Sequence, residues 1–173
     1  MTQVGIIADT HGRLPRAAYE ALAGCAAIIH AGDIGAPRIL AELETLAPVY
    51  AVLGNNDFDE YGSSVGRFAR PRIAGVQFLV AHYPQDVRLG NNGALGAAGF
   101  PPGSTVPDVC VHGHTHVPNI VCGSAARPAA YVICPGSTSR PRGGKPASIA
   151  LVNIADGFVE DARIVPIYKK AQG

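Results

Sequence analysis

The stretch that decides the fold class is VGIIADTHG, at residues 4–12. Residues 4–8 are an uninterrupted β-rich apolar run, which is typical of a strand buried on both faces of a sheet. Asp9 and His11 follow where this strand ends, so a carboxylate and an imidazole can face the same way, and Gly12 lets the backbone turn sharply. Taken alone, the pair is explained equally well by Asp9 capping a helix while His11 packs.

The first third of the chain alternates between strand and helix patterns. After the strand at residues 4–8, helix formers follow Pro15 and Pro37, at positions where the first turn of a helix tolerates proline. The predicted elements are a helix at 16–23, a strand at 27–30, a helix at 38–46 and a strand at 49–53. This alternation predicts a parallel sheet with right-handed crossovers.

The remainder of the chain is dominated by short strands. Residues 67–73 and 76–82 predict a hairpin around Ala74-Gly75, and residues 148–154 and 158–165 predict another around Asp156-Gly157. Further short strands are predicted at 110–112, 120–122 and 131–134. An α/β half followed by a β-rich half indicates two stacked sheets flanked by helices, in a single domain spanning residues 1–173.

Two segments depart from this pattern. Residues 84–107 are rich in Gly, Asn and Pro with one weak helical stretch, and a loop of this length in a compact domain is usually functional or mobile. The tail from Lys169 is expected to fray.

The composition narrows the class of protein. With 47% apolar and 16% charged residues among 173, the chain can bury a large core and is not disordered. A formal net charge of +1 argues against nucleic-acid binding through bulk electrostatics. No stretch has the character of a signal peptide or a membrane span. The four cysteines include no C-x-x-C and are expected to be reduced thiols of a cytoplasmic protein.

Two further motifs with oxygen donors follow predicted strands. Gly32-Asp33 comes after the strand at 27–30, and a carboxylate at such a place is costly to bury without a positive partner. Gly54-Asn55-Asn56-Asp57 follows the strand at 49–53, and the carbonyl of an Asn side chain can ligate a metal. Each motif alone is equally typical of a turn or a helix cap.

The histidine motifs carry a stronger signal. His82 closes the apolar run 78–81, and the segment Gly113-His114-Thr115-His116 follows another predicted strand. Two histidines that flank a single residue after a glycine are typical of metal ligands, since imidazole is the commonest metal-binding side chain. His30 and His112 each lie in a predicted strand just before a glycine, and buried structural or supporting roles are expected for both.

The motifs are more informative together than singly. The carboxyl ends of parallel strands share one edge of a sheet, so the side chains that follow them should converge. They offer seven oxygen and nitrogen donors and no sulfur: Asp9, His11, Asp33, Asn55, His82, His114 and His116. This set exceeds the needs of one tetrahedral zinc and suits two ions such as Mn²⁺, Fe or Zn²⁺. Two such ions form the clamp used for in-line displacement at phosphorus.

The motif order resembles the calcineurin-like metallophosphoesterase superfamily, with the pattern D-x-H…G-D…G-N-H-[DE]…H…G-H-x-H, over residues 4 to about 142. Ala31-Gly32-Asp33-Ile34 and Pro135-Gly136-Ser137 resemble its small bacterial and archaeal phosphodiesterase branch most closely. The resemblance implies a four-layer α/β/β/α sandwich of two stacked mixed sheets flanked by helices.

The resemblance also implies a division of the ligands between two divalent metal ions, Mn²⁺ before Fe, Ni²⁺ or Zn²⁺. One ion would take Asp9, His11 and His116, the other would take Asn55, His82 and His114, and Asp33 would bridge both. A metal-bridging hydroxide would attack phosphorus, and Asn55 or Asn56 would contact a phosphate oxygen. The implied partner is a small phosphate ester, with nucleic acid only as a substrate, no membrane, and a homo-oligomer left open.

Three positions depart from the family pattern. Asn56 stands where many members have a histidine that serves as general acid, and an amide cannot donate a proton as an acid does. This difference favours diesters or activated leaving groups over simple monoesters. Tyr83-Pro84 follows His82 where a glycine is usual, and Cys134 replaces an asparagine. Arg13, Arg140 and Arg142 are candidates to receive an anionic substrate.

Two other functions compete with this interpretation. A non-catalytic binding scaffold on the same fold, like the retromer subunit that resembles this family, is consistent with Asn56 and Tyr83. A metal-dependent amidohydrolase is a poor match, because that chemistry commonly uses a (β/α)₈ barrel of about 250 residues.

Overall fold

The structure, a computed structural model, describes residues 1–89 and 105–168. Two mixed β-sheets pack face to face, which confirms the predicted sandwich. Part of the predicted loop at 84–107, and the tail from Lys169, lie outside the described residues.

The first sheet has five strands. Their bounds are β1 Thr2–Ile7, β2 Ala27–His30, β3 Val49–Ala51, β10 Ser148–Ala155 and β11 Phe158–Pro166. They lie in the order β11-β10-β1-β2-β3. Strands β1, β2 and β3 are parallel, as the strand and helix alternation predicts, whereas β10 and β11 are antiparallel neighbours.

The second sheet has six strands. Their bounds are β4 Phe68–Ala69, β5 Arg72–Ile73, β6 Val76–Ala81, β7 Val109–Val111, β8 Asn119–Cys122 and β9 Tyr131–Cys134. The order is β4-β6-β7-β9-β8, with β5 paired to β6. Strands β6, β7 and β9 run parallel, and β8 and β4 are antiparallel to their neighbours.

Two helices cover the outer face of the first sheet. They are α1, Arg16–Leu22, and α2, Pro37–Glu44, and each ends one or two residues before its predicted end. Alternate side chains of β1 face opposite ways, so Ile6 packs between the sheets while Ile7 packs under the helices. On the outer face of the second sheet, the described cover includes the 3₁₀ turn Pro84–Val87.

The first predicted hairpin differs from the structure in one respect. Residues 67–73 form two short strands, β4 and β5, rather than one continuous strand. Pro71 lies between them and has no N–H for the ladder, although its carbonyl accepts a hydrogen bond from the Phe78 N–H at 2.9 Å. The second hairpin is as predicted, with Asp156 and Gly157 both at positive φ in its turn.

The sequence also predicts reduced cysteines and no membrane span. All four cysteines are free thiols: three are buried, Cys25, Cys110 and Cys134, and Cys122 is exposed. Within residues 1–89 and 105–168, no helix has the length and apolar character needed to cross a membrane.

Candidate metal centre

All seven predicted metal ligands follow the carboxyl ends of parallel strands, and each lies close to at least one of the others. Asp9 and His11 follow β1, Asp33 follows β2, and Asn55 follows β3 in the first sheet. His82 follows β6, and His114 and His116 follow β7 in the second sheet. The centre therefore forms where the corresponding edges of the two sheets meet, because each strand delivers its donors as it leaves the core.

Four of these side chains form a tight first group: Asp9, His11, Asp33 and His116. One potential ligand atom from each lies within 4.8 Å of the others. The Nε2 atoms of His11 and His116 are 3.3 Å apart. His116 Nε2 lies 3.2 Å from Asp9 Oδ1, and His11 Nε2 lies 3.8 Å from Asp33 Oδ2.

The hydrogen bonds of the first group leave acceptor atoms facing one another, which suits a cation between them. His116 Nδ1 lies 2.7 Å from the carbonyl oxygen of Arg140, so Nδ1 carries the proton and donates it. In the neutral ring Nε2 is then a bare lone pair directed at Asp9 Oδ1 and His11. Asp9 Oδ1 is buried and accepts no hydrogen bond. Two acceptor atoms that face each other, such as His116 Nε2 and Asp9 Oδ1, are satisfied when a divalent ion binds between them.

A second group is formed by Asn55, His82 and His114. Asn55 Oδ1 lies 3.0 Å from His82 Nε2 and 3.0 Å from His114 Nδ1. His82 Nδ1 donates to the Ala31 carbonyl oxygen at 2.8 Å, so its Nε2 also presents a lone pair to an oxygen. Tyr83, which stands in place of the usual glycine, packs its ring against His114 with centroids 4.8 Å apart and does not displace His82.

Asp33, a member of the first group, also lies close to the second group. Its Oδ2 is the atom near His11, and its Oδ1 lies 3.6 Å from His82 Nε2. Asn56 holds this carboxylate from one side, since its backbone N–H donates to Oδ1 at 2.9 Å and its side-chain amide donates to Oδ2 at 2.7 Å. The Oδ2 atom of Asp33 therefore faces a candidate ligand of the first group, His11, and its Oδ1 atom faces one of the second group, His82.

The electrostatics favour cation binding at both groups. Burial lowers the pKa of His11, His82 and His116, which keeps these imidazoles neutral and able to ligate. Burial, together with the negative charge of Asp33, raises the pKa of Asp9 to about 8. Two buried carboxylates close together require positive charge to remain ionised.

The backbone at the centre adopts an uncommon conformation. Seven non-glycine residues in the described part of the chain have positive φ, and five are candidate ligands: Asp9, His11, Asp33, His114 and His116. Such conformations are costly for residues with a Cβ and persist where the surrounding structure enforces them. Ser137 and Ser139 contribute to this support, since both hydroxyls donate to the Asp9 carbonyl oxygen, at 2.7 and 3.1 Å.

Comparison with known proteins assigns the chain to a family. Residues 2–157 match the family model described as the calcineurin-like phosphoesterase superfamily domain. The chain belongs to this superfamily. It is 35% identical over 170 residues to a probable metallophosphoesterase of Methanothermobacter thermautotrophicus, with 94% of this chain and 91% of the relative covered.

Solved structures share the fold of this phosphoesterase domain. A predicted phosphoesterase from Streptococcus pneumoniae aligns with a TM-score of 0.68 and 19% identity, covering 98% of this chain and 94% of that one. Wild-type Vps29 of Entamoeba histolytica in complex with Zn²⁺ aligns with a TM-score of 0.66 and 20% identity, covering 96% and 100%. The family binds divalent metals and acts on phosphate esters, and its relatives support a hydrolase of phosphoester type; this chain carries a candidate metal site.

The remaining predicted site residues, Asn56, Arg13, Arg140 and Arg142, are exposed. The backbone N–H of Arg142 donates to the His116 carbonyl oxygen at 3.2 Å, so the loop that contains Arg142 packs against a candidate ligand residue.

Asp57 has a role that the sequence does not reveal. Its Oδ2 accepts the N–H groups of Gly54 and Ile34, and its Oδ1 accepts that of Gly35. Burial raises the pKa of Asp57, but these backbone hydrogen bonds outweigh it and the pKa is lowered overall. Asp57 thus ties the loop of Asp33 to the loop of Asn55, whereas an Asn-Asn-Asp sequence alone indicates only a turn.

His30 and His112 lie outside the two groups of candidate ligands. His30 Nε2 lies 2.9 Å from the Thr10 hydroxyl, which donates to the Ile34 carbonyl oxygen at 2.8 Å, so His30 donates to Thr10. His112 comes directly after β7 rather than within it, and its Nδ1 lies 2.9 Å from the Gly113 carbonyl oxygen. Because His30 donates to Thr10, its side chain stabilises the turn between Asp9 and His11.

We expect His30 to make the metal-free protein less stable in acid. Burial lowers the pKa of His30 from 6.5 to about 4. Between these two pH values the His30 ring is protonated in the unfolded chain and neutral in the folded chain. The contribution of the neutral His30 ring to the free energy of unfolding is fully present above pH 6.5, the pKa in the unfolded chain. It falls by about 3 kcal/mol as the pH drops from 6.5 to about 4. Urea unfolding at a series of pH values, with chelator present, measures the loss.

Other histidines with lowered pKa values act in the same direction, so the contribution of His30 needs a separate observation. Nuclear magnetic resonance of ¹³C-labelled histidine rings follows each side chain through the titration. We expect the His30 ring to stay neutral to about pH 5. A ring that protonates near its ordinary pKa of 6.5 would contradict the assignment.

Proposed function

We propose that the protein is a dinuclear metal-dependent phosphodiesterase. The single observation that carries this proposal is the position of Asp33, whose two carboxylate oxygens face two separate sets of donors. In this proposal Asp9, His11 and His116 hold one ion, Asn55, His82 and His114 hold the other, and Asp33 bridges both. Oxygen and nitrogen donors without sulfur favour Mn²⁺, with Fe, Ni²⁺ or Zn²⁺ as alternatives.

Two divalent ions, when bound, supply positive charge that stabilises the phosphate oxygens and activates water for in-line attack. The chain supplies the frame for this chemistry. His82 and His116 are each fixed in one tautomer by a backbone carbonyl, so their lone pairs need no reorientation when metal binds. The carboxylate of Asp33 is held in one orientation by the two hydrogen bonds that Asn56 donates to it.

Asn56 also explains the proposed preference for diesters. Its side chain donates one N–H to Asp33, and the second N–H of the amide remains available for a phosphate oxygen. An amide has no proton of suitable acidity for an alkoxide leaving group. The substrate is therefore expected to carry a leaving group that departs without protonation, as in aryl and other activated diesters.

The arginines near the centre are proposed to receive the anionic substrate. Arg140 and Arg142 belong to the segment after Ser139, and the carbonyl of Arg140 holds His116 in place. The positive charge of Arg142 acts on Asp9 and on His116, which supports a role for Arg142 in receiving an anion. Arg13 follows the first motif and is exposed on the same loop as His11.

Activity should depend on added metal and on the type of ester. Protein stripped with chelator and reloaded separately with Mn²⁺, Ni²⁺ or Zn²⁺ is assayed on bis(p-nitrophenyl) phosphate and on a simple alkyl monoester. We expect no turnover without metal and kcat/KM for the aryl diester at least about 100-fold above that for the alkyl monoester. Equal turnover of the two esters would contradict the role given to Asn56.

A binding scaffold is the second candidate, because Asn56 replaces the usual acid and the fold is shared with Vps29. The same assay separates the two functions. Stoichiometric metal binding without hydrolysis of any diester would favour the scaffold, whereas metal-dependent turnover that tracks metal occupancy would favour the enzyme.

A further inference from the structure

A cavity of about 260 Å³ lies along the segment that contains Asn55 and Asn56. Leu53 lines it on the N-terminal side of this loop and Phe58 lines it on the C-terminal side, so the ligand loop begins and ends at the cavity wall. The ring of Phe58 is 74% exposed. The other lining residues include Asp59, Tyr61, Ser63 and Val65.

Hydrogen bonds connect this cavity to the metal-binding loops. The hydroxyl of Tyr61 donates to Asp57 Oδ1 at 3.0 Å. Asp57 in turn accepts the N–H groups of Gly54 and Ile34, which neighbour Asn55 and Asp33. The cavity wall therefore keeps a fixed position relative to the two loops that carry these candidate ligands.

The chemistry of the lining identifies the class of occupant. An exposed phenyl ring beside a second aromatic residue offers a surface on which a flat ring can stack. The volume is below that of pockets for drug-sized ligands and suits one ring system. Asp59 accepts N–H donors and repels anions, which favours a nucleobase over a second phosphate group.

We propose that this cavity binds the nucleobase of a nucleoside phosphodiester whose phosphate lies at the metal centre. The inference rests on the proposed phosphodiesterase function and specifies its substrate class. The base stacks on Phe58, and its N–H groups are accepted by Asp59. Phe58 is two residues from Asn56 in the chain, so a base bound at Phe58 would lie near a phosphate bound beside Asn56.

The kinetic test compares two esters with the same leaving group, adenosine 5′-(p-nitrophenyl phosphate) and ethyl p-nitrophenyl phosphate. With Mn²⁺-loaded protein we expect a KM about tenfold lower for the adenosine ester. Phe58→Ala should raise the KM of the adenosine ester to that of the ethyl ester. Phe158→Ala is the matched variant, since Phe158 is 75% exposed at the start of β11, and it should preserve the tenfold difference.

A binding test works without turnover. The chain has no tryptophan, so Phe58→Trp introduces a single tryptophan at the cavity, and excitation at its long-wavelength edge avoids the six tyrosines. With Zn²⁺ present, we expect adenosine 5′-monophosphate to quench this fluorescence, and ribose 5-phosphate, which has no base, to leave it unchanged. The corresponding Phe158→Trp variant should respond to neither compound.

The outcomes separate this inference from the proposed function. Equal KM values for the two esters in the unmodified protein, or an equal rise for both in Phe58→Ala, would overturn the nucleobase site while leaving the phosphodiesterase intact. If no ester is hydrolysed, the proposed function fails, and the fluorescence result alone decides the cavity. Absence of quenching by the nucleotide overturns the proposal in either case.

Discussion

Asp33→Asn should abolish metal-dependent hydrolysis, lowering kcat/KM for an aryl diester by at least about 1,000-fold. The substitution keeps the size of the side chain but removes the charge shared by the two groups of donors. It also puts an amide where Asn56 now donates two hydrogen bonds to carboxylate oxygens, so one N–H would meet another. Both ions should therefore bind more weakly.

Metal content distinguishes loss of a ligand from general damage. Asp33→Asn protein, equilibrated with Mn²⁺ and desalted, should retain less than one ion per chain while its circular dichroism remains that of the unmodified protein. Asp161→Asn provides the comparison, since Asp161 is exposed and, among residues 1–89 and 105–168, its side chain pairs with Asn153 and Arg163 of its own hairpin. An Asp33→Asn protein with full metal content and full turnover would contradict the bridging role.

The second large effect is expected from a single methyl group at Gly54. A Cβ at this position would collide with the backbone nitrogen and Oδ1 of Asp33 and would lie 2.9 Å from its Cα. Gly54→Ala must therefore displace either Asp33 or the loop that carries Asn55. We expect a loss of about 3 kcal/mol in the free energy of unfolding and at least about 100-fold in activity.

Gly66→Ala isolates the steric cause of this effect. Gly66 lies beyond the same loop, a Cβ added there would meet no atom within 4 Å, and like Gly54 it does not need positive φ. Its substitution should change stability by less than about 1 kcal/mol and leave metal binding intact. Similar losses in both variants, measured by urea unfolding and by metal titration, would contradict the close-approach explanation.

Much of the fold is predictable because its strands are buried on both faces. Strand β2 has the predicted bounds, and the end of β1 differs by one residue, since continuous apolar runs mark such strands clearly. The split of residues 67–73 into β4 and β5 is less predictable. Both short strands pair with β6, and only the missing N–H of Pro71 hints at the interruption.

The candidate ligands are predictable for a related reason. Parallel strands all deliver their carboxyl ends to one edge, so motifs as distant in sequence as Asp9 and His116 meet without detailed knowledge of the loops. His82 joins them despite Tyr83, because its position is set by β6 and by a hydrogen bond to the Ala31 carbonyl rather than by the residue that follows.

Other features depend on tertiary contacts that leave no pattern in the sequence. Asp57 and Tyr61 are ordinary turn residues until the loops of Asp33 and Asn55 are brought together. The exposure of Phe58 likewise follows from packing, since an isolated aromatic residue in a sequence is more often buried. Sequence patterns identify the donors, whereas the structure identifies what holds them and what lies beside them.

In the proposed centre, seven side chains hold two ions with Asp33 between them. Anomalous diffraction from crystals soaked in Mn²⁺ tests it most directly, because each ion gives its own peak. We predict two peaks about 3.5–4 Å apart, one beside Asp9, His11 and His116 and the other beside Asn55, His82 and His114. A single peak at full occupancy, or none at saturating Mn²⁺, would contradict the account.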